Sequence, residues 1–123
     1  MKKILIVDDS LTIRQQVEFS LSNKGFEVIE AEHGEDGIKV LQETKDISLV
    51  ITDIVMPKMG GLEMIERIRN DASMSDIPIV ILTTEKKKEM IEKAKSIGAQ
   101  GWLVKPFTPS SLQQIAIKFT ENG

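Results

Sequence analysis

Five times in 123 residues, a short apolar run gives way to a stretch whose apolar residues return every three or four positions. No other feature constrains the fold as much. Strands joined by helical crossovers lie parallel in one sheet, with helices packed over its faces. The runs are Ile4–Val7, "FEVIEA" from Phe26 to Ala31, "SLVITDI" from Ser48 to Ile54, "IPIVILTT" from Ile77 to Thr84, and "GWLVKPF" from Gly101 to Phe107. The first, third and fourth read as strands covered on both faces, whereas the second alternates apolar and polar residues like a strand nearer an edge.

The intervening stretches read as helices. Ile13, Val17 and Leu21 share one face of the first, which Gly25 stops. "HGEDG" reads as a loop leading into a helix with Ile38 and Leu41 inside, and His33 as a surface residue of that loop. The turn "MPKMGG" precedes a helix with Leu62, Ile65 and Ile68 inside. Met56 and Met59 in that turn are expected to fill gaps rather than to serve redox chemistry. "EKKKEMIEKAKSIGA" is a charged helix with Ile91, Ala94 and Ile97 on one face, ended by Gly98. Thr108 is the expected N-cap of the last helix and Pro109 its first residue, with Leu112, Ile115, Ala116 and Phe119 buried. The expected fold is α/β: a flavodoxin-like, doubly wound (βα)5 domain spanning residues 1–123. The strand order 2-1-3-4-5 is carried over from known sheets of this size. Ligands of such sheets sit beyond the carboxyl ends of the strands, near the switch point.

Composition narrows the chemistry. The chain lacks cysteine, which excludes disulfides, thiolate nucleophiles and Cys-ligated metals. A net charge of −3 argues against a nucleic-acid binder. No apolar run is long enough to span a bilayer, and Ile4–Val7 is too short for a signal peptide. A soluble, cytoplasmic protein and a monomer are expected.

The polar residues at the strand ends point to a site. The first strand ends in Asp8 and Asp9, the third in Asp53, the fourth in Thr83 and Thr84, and the fifth in Lys105. In a parallel sheet these ends share one edge. Three neighbouring carboxylates do not all stay ionised unaided, and a cation relieves their repulsion. All-oxygen ligands suit a hard ion such as Mg²⁺. A lysine and hydroxyls facing that cluster suit a phosphoryl group. Without a nucleotide-binding glycine loop or a Ser–His or Cys–His pair, the best candidate nucleophile is Asp53, which can form an acyl phosphate.

"VDDS", "ITDIVMPKMGG", "VILTT" and "GWLVKPF" together resemble the receiver domain of two-component response regulators, of the stand-alone, CheY-like type. The likeness covers essentially the whole chain, with all four motifs in order. It implies that Asp53 is the phosphorylated residue, Asp9 a direct Mg²⁺ ligand and Asp8 the acid holding metal-bound waters. It implies that the Val55 carbonyl is a third protein ligand and that Thr83 is the switch hydroxyl. The Thr84 N–H and Lys105 would bind phosphoryl oxygens, and the Lys105–Pro106 peptide would be cis. Trp102 falls where the family has a rotating aromatic, usually Tyr or Phe, and its bulk is expected to hinder an inward rotamer. Val55 cannot orient an attacking water, whereas Glu85 offers a polar group from the facing loop.

The resemblance further implies a switch rather than an enzyme with a released product. A sensor histidine kinase would phosphorylate it. The fourth helix, fifth strand and fifth helix would dock a partner, although the five lysines and three glutamates between Glu85 and Lys95 also suit a solvated face. With no output domain expected after Gly123, output would pass through a separate protein, with a flagellar motor switch the leading choice. A phosphorelay intermediate serving a histidine phosphotransfer protein is the rival reading. A haloacid-dehalogenase-type phosphatase would want an acid where Val55 stands, and a flavodoxin would want a phosphate loop after the first strand.

Overall fold

The computed structural model describes residues 1–121. Strands and helices alternate as β1 (Lys3–Val7), α1 (Leu11–Ser22), β2 (Glu27–Ala31), α2 (Gly34–Glu43), β3 (Ile47–Thr52), α3 (Gly61–Arg69), β4 (Ile79–Thr83), α4 (Lys88–Ser96), β5 (Gly101–Val104) and α5 (Pro109–Thr120). The strands form one parallel sheet in the order β2-β1-β3-β4-β5, the flavodoxin-like order. None of the described helices is long and apolar enough to cross a membrane.

Successive residues of a strand face opposite sides, so each buried strand serves two cores. Ile4 and Ile6 of β1 and Leu49 and Ile51 of β3 pack with Val17 and Leu21 of α1 and Leu112 and Ala116 of α5. Leu5, Val7, Val50, Ile79 and Ile81 face the other way, toward Leu41 of α2, Met64, Ile65 and Ile68 of α3, and Ala94 of α4. This two-sided burial explains why β1, β3 and β4 read as continuous apolar runs. β2 lies at an edge, with Glu27 and Glu30 among its residues, as its alternation suggests.

The helix boundaries have local causes. The Ser10 hydroxyl accepts the Ile13 N–H and caps α1. Gly25 beyond its end takes φ +83°, which a residue without a Cβ adopts freely. Thr108 and Ser111 form a reciprocal capping box, with Pro109 opening α5. Several boundaries differ from the sequence pattern. β4 starts at Ile79 rather than Ile77, although the Pro78 carbonyl still accepts the Val50 N–H. β5 stops at Val104, ahead of the cis Lys105–Pro106 peptide. α4 starts at Lys88, because the Glu85 carboxylate accepts the Lys87 N–H and closes a turn there.

His33 corrects a sequence expectation. It is buried rather than a surface loop residue, and its Nδ1 accepts the Asp36 N–H as the N-cap of α2. The helix begins one residue later, at Gly34, so the "HGEDG" stretch is mostly helical. Nδ1 substitutes for the usual capping oxygen by accepting one of the amides left unpaired at a helix start.

The segment after β3 folds back on itself. The Gly61 N–H donates to the Ile54 carbonyl, and a Cβ at Gly61 would lie 2.1 Å from the Asp53 carbonyl oxygen. Met56 and Met59 are buried beneath this turn, as gap-fillers would be. Gly61→Ala therefore has to push α3 away from the end of β3. It is expected to lower stability by about 1–3 kcal/mol in urea unfolding. An unchanged midpoint would show that the start of α3 can retreat freely.

Candidate functional site

The ladders run one residue beyond β1 and β3. The Asp8 N–H donates to the Ala31 carbonyl at 3.1 Å, and the Asp53 N–H to the Val7 carbonyl at 3.0 Å. These bonds set both aspartates on rigid backbone at the carboxyl edge of the sheet. One carboxylate oxygen from each of Asp8, Asp9 and Asp53 lies within 4.8 Å of the others. Asp8 is buried, Asp9 exposed, and Asp53 between them.

The cation facing them comes from the far side of β4. The Lys105 N–H donates to the Thr83 carbonyl at 2.9 Å, which extends the β4–β5 pairing past Val104. The Lys105 ammonium then reaches Asp8 Oδ2 at 2.6 Å and Asp53 Oδ2 at 3.0 Å. The other oxygens are held by backbone. Asp8 Oδ1 accepts the Ser10 N–H at 2.9 Å, and Asp53 Oδ1 accepts the Ile54 N–H at 2.7 Å.

Burial and pairing compete here. Burial raises the Asp8 carboxyl above its ordinary range, more than Lys105 and the Ser10 amide lower it. Burial also disfavours the Lys105 ammonium, but bonding to Asp8 and Asp53 outweighs it and holds that group above its ordinary range. The site thus retains its lysine charge while penalising ionisation of Asp8. Three converging carboxylates with only oxygen ligands fit a hard divalent cation such as Mg²⁺, and Asp9 and Asp53 retain access to solvent.

The remaining predicted residues fall into three settings. Thr83 is buried at the end of β4, and its Oγ1 accepts the Glu85 N–H at 3.2 Å. Thr84 is exposed and lines, with Lys105, an apolar groove of about 690 Å³ that runs along Ile13 and Phe19 of α1. Val55, two residues past Asp53, turns its side chain to solvent at 71% exposure, as a residue contributing only its carbonyl can.

Trp102 is not brought to the acid cluster. It pairs with Ile81 in the sheet and packs against the core beneath α2, α3 and α4. Its Nε1 is buried with no hydrogen-bond partner among the described residues. Trp102 is half-buried, and the core it packs against includes the small Ala94 and Ala99.

The sequence reading missed Arg14 and Glu30. Arg14 is buried on α1, donates to the Asp8 carbonyl at 2.8 Å and pairs with Glu30 at 2.9 Å. A signal existed: Arg14 precedes Val17 and Leu21 by three and seven residues, so it shares their inward face. A charge there needs a partner.

The competition at Asp8 has a sign that can be checked. A carboxyl raised in the folded chain binds a proton that the unfolded chain has released. Stability therefore falls as pH rises from 3.8 through the higher folded value. Lys105→Met removes the compensating charge. It is expected to destabilise the fold by about 3 kcal/mol at pH 7, with the loss shrinking as pH is lowered toward 4. A wild-type-to-variant difference in urea unfolding that does not change with pH would refute this.

Comparison with known proteins agrees with this geometry. Residues 4–117 match the family described as the response regulator receiver domain. The chain is 41% identical to the chemotaxis protein CheY1 of Helicobacter pylori over 113 residues, 91% of each chain. It is 39% identical to a chemotaxis protein CheY homolog of Campylobacter jejuni, over 91% of this chain and 87% of the relative. The solved structure of the Vibrio cholerae chemotaxis protein CheY4 superposes with a TM-score of 0.91 at 38% identity, covering 97% of this chain and 98% of that one. With the family match spanning nearly the whole chain, and with the acids, hydroxyl and lysine at the sheet edge where the four motifs place them, this chain belongs to the response regulator receiver domain family.

Proposed function

We propose that this chain is a cytoplasmic, phosphorylation-driven signalling switch acting in chemotaxis, with Asp53 as the phosphoacceptor. The observation that supports this most is the single ammonium of Lys105 bonded to both Asp8 and Asp53, beside the open carboxylate of Asp9. The relatives named for chemotaxis support the pathway.

In this reading Asp9, Asp53 and the Val55 carbonyl would hold Mg²⁺, and Asp8 would hold its bound waters. The metal supplies charge neutralisation for the phosphoryl oxygens. An Asp53 oxygen attacks the phosphorus of a phosphohistidine on a sensor histidine kinase. The O–P bond forms as the N–P bond breaks, and the departing imidazole takes up a proton from solvent. The aspartyl phosphate places new negative charge beside Lys105, whose ammonium pairs with a phosphoryl oxygen. Thr83 Oγ1 accepts the Glu85 N–H, which leaves its O–H free to donate to another oxygen. The exposed Thr84 contributes its N–H.

Movement of Thr83 would free space at the end of β4, beside β5, which carries Trp102. Its buried indole N–H, without a partner among the described residues, carries a desolvation penalty in the resting state. Rotation would shift the face of α4, β5 and α5 toward a partner-binding population. That face bears the lysine-rich α4, and a flagellar motor switch protein is the partner class proposed.

Incubation with acetyl phosphate and Mg²⁺ should add one phosphoryl group by intact mass. The adduct should vanish in Asp53→Asn and with EDTA. A wild-type chain that stays unmodified under conditions that label other receivers would overturn the reading. Fluorescence of Trp102, the sole tryptophan, should change on beryllofluoride addition. An unchanged spectrum in a chain shown to bind beryllofluoride would remove Trp102 from the switch.

A further inference from the structure

Arg14 occupies a position that the phosphoryl chemistry does not use. It is the fourth residue of α1, and its side chain is 10% exposed. Its Nη1 donates to the Asp8 carbonyl at 2.8 Å and its Nε to Glu30 Oε1 at 2.9 Å. Nη2 lies 3.9 Å from Glu32 Oε1. Glu30 sits opposite Ile6 in the β1–β2 ladder, so one guanidinium joins α1, the end of β1 and β2.

A positive charge this close to a candidate cation site would oppose metal binding if charge were all it supplied. Glu30 and Glu32 neutralise it, so what remains is geometry. The Asp8 carbonyl and the Asp9 N–H belong to one planar peptide unit. Fixing that oxygen fixes the plane, and the plane sets where the Asp9 Cα stands. The Asp8 N–H is already bonded to Ala31 and its Oδ1 to Ser10. With Arg14 on the carbonyl, the Asp8–Asp9 corner has little freedom left.

We propose that Arg14, oriented by Glu30, is a positioning residue for the metal site. By pinning the Asp8–Asp9 peptide it aims both carboxylates at a divalent cation shared with Asp53. The proposal rests on the reading of that cluster as a Mg²⁺ site. Groups that orient metal ligands affect affinity without touching the metal.

The test is a Mg²⁺ titration of the full chain, followed through backbone amide shifts of Asp9 and Asp53, with the amide spectrum also reporting the fold. Arg14→Gln is expected to weaken Mg²⁺ binding about tenfold. A purely electrostatic role predicts the reverse, since removing a cation would tighten binding. Arg14→Lys keeps the charge but not the fork that reaches both acceptors, and its affinity should fall between those of the wild type and Arg14→Gln. If Arg14→Gln fails to fold, Arg14→Lys decides. Wild-type affinity in either folded variant, or tighter binding in Arg14→Gln, overturns the proposal. Asp9→Asn separates the two layers: wild-type affinity there would instead overturn the Mg²⁺ reading.

Discussion

The contact on which the functional edge depends is the Lys105 ammonium lying between Asp8 and Asp53. A parallel sheet points every strand end the same way, so acids at the ends of adjacent strands are forced together. Here β1 and β3 are neighbours, and three carboxylates converge. Without a compensating cation, such a cluster would favour protonation or a local opening of the loops. Lys105 supplies that cation from just past β5, across β4, and its backbone is registered by the bond to the Thr83 carbonyl. The same contact stabilises the resting fold and leaves the site responsive to a change of charge at Asp53.

Around this contact the chain has little slack. Asp8 is held through its N–H, its carbonyl and both carboxylate oxygens. Asp53 is held through its N–H and both carboxylate oxygens, with Gly61 packed against its carbonyl. Rigid strands supply the aim, while Asp9 and Val55 lie on exposed turns where a ligand can enter. The buried Nε1 of Trp102 is the opposite case. Its N–H has no partner among the described residues, so the resting arrangement carries a local penalty that rearrangement can remove.

Much of the fold was legible because burial leaves period-two and period-3.6 signatures in a chain. Ile4–Val7 read as a strand covered on both faces because α1 and α5 cover one side and α2, α3 and α4 the other. The acids, Thr83 and Lys105 were legible because they abruptly end such runs. His33 misled because a histidine after a strand resembles a loop residue, and its use of Nδ1 as a helix cap depends on where α2 begins. Arg14 was passed over because its partners, Glu30 and the Asp8 carbonyl, lie on other elements.

By itself the sequence determined the alternation of elements, the two-sided core and the residue types placed at one edge of the sheet. These follow from local periodicity and from the parallel geometry that alternation imposes. Only the tertiary structure decided which of those residues touch. Lys105 bonds Asp8 and Asp53, Arg14 holds the Asp8 carbonyl, and Trp102 packs half-buried against the core. The physical reason is that hydrogen bonds and ion pairs form over about 3 Å, less than the spacing of neighbouring strands. Such contacts depend on register, rotamer and the volume of neighbouring side chains, and none of these has a period along the chain.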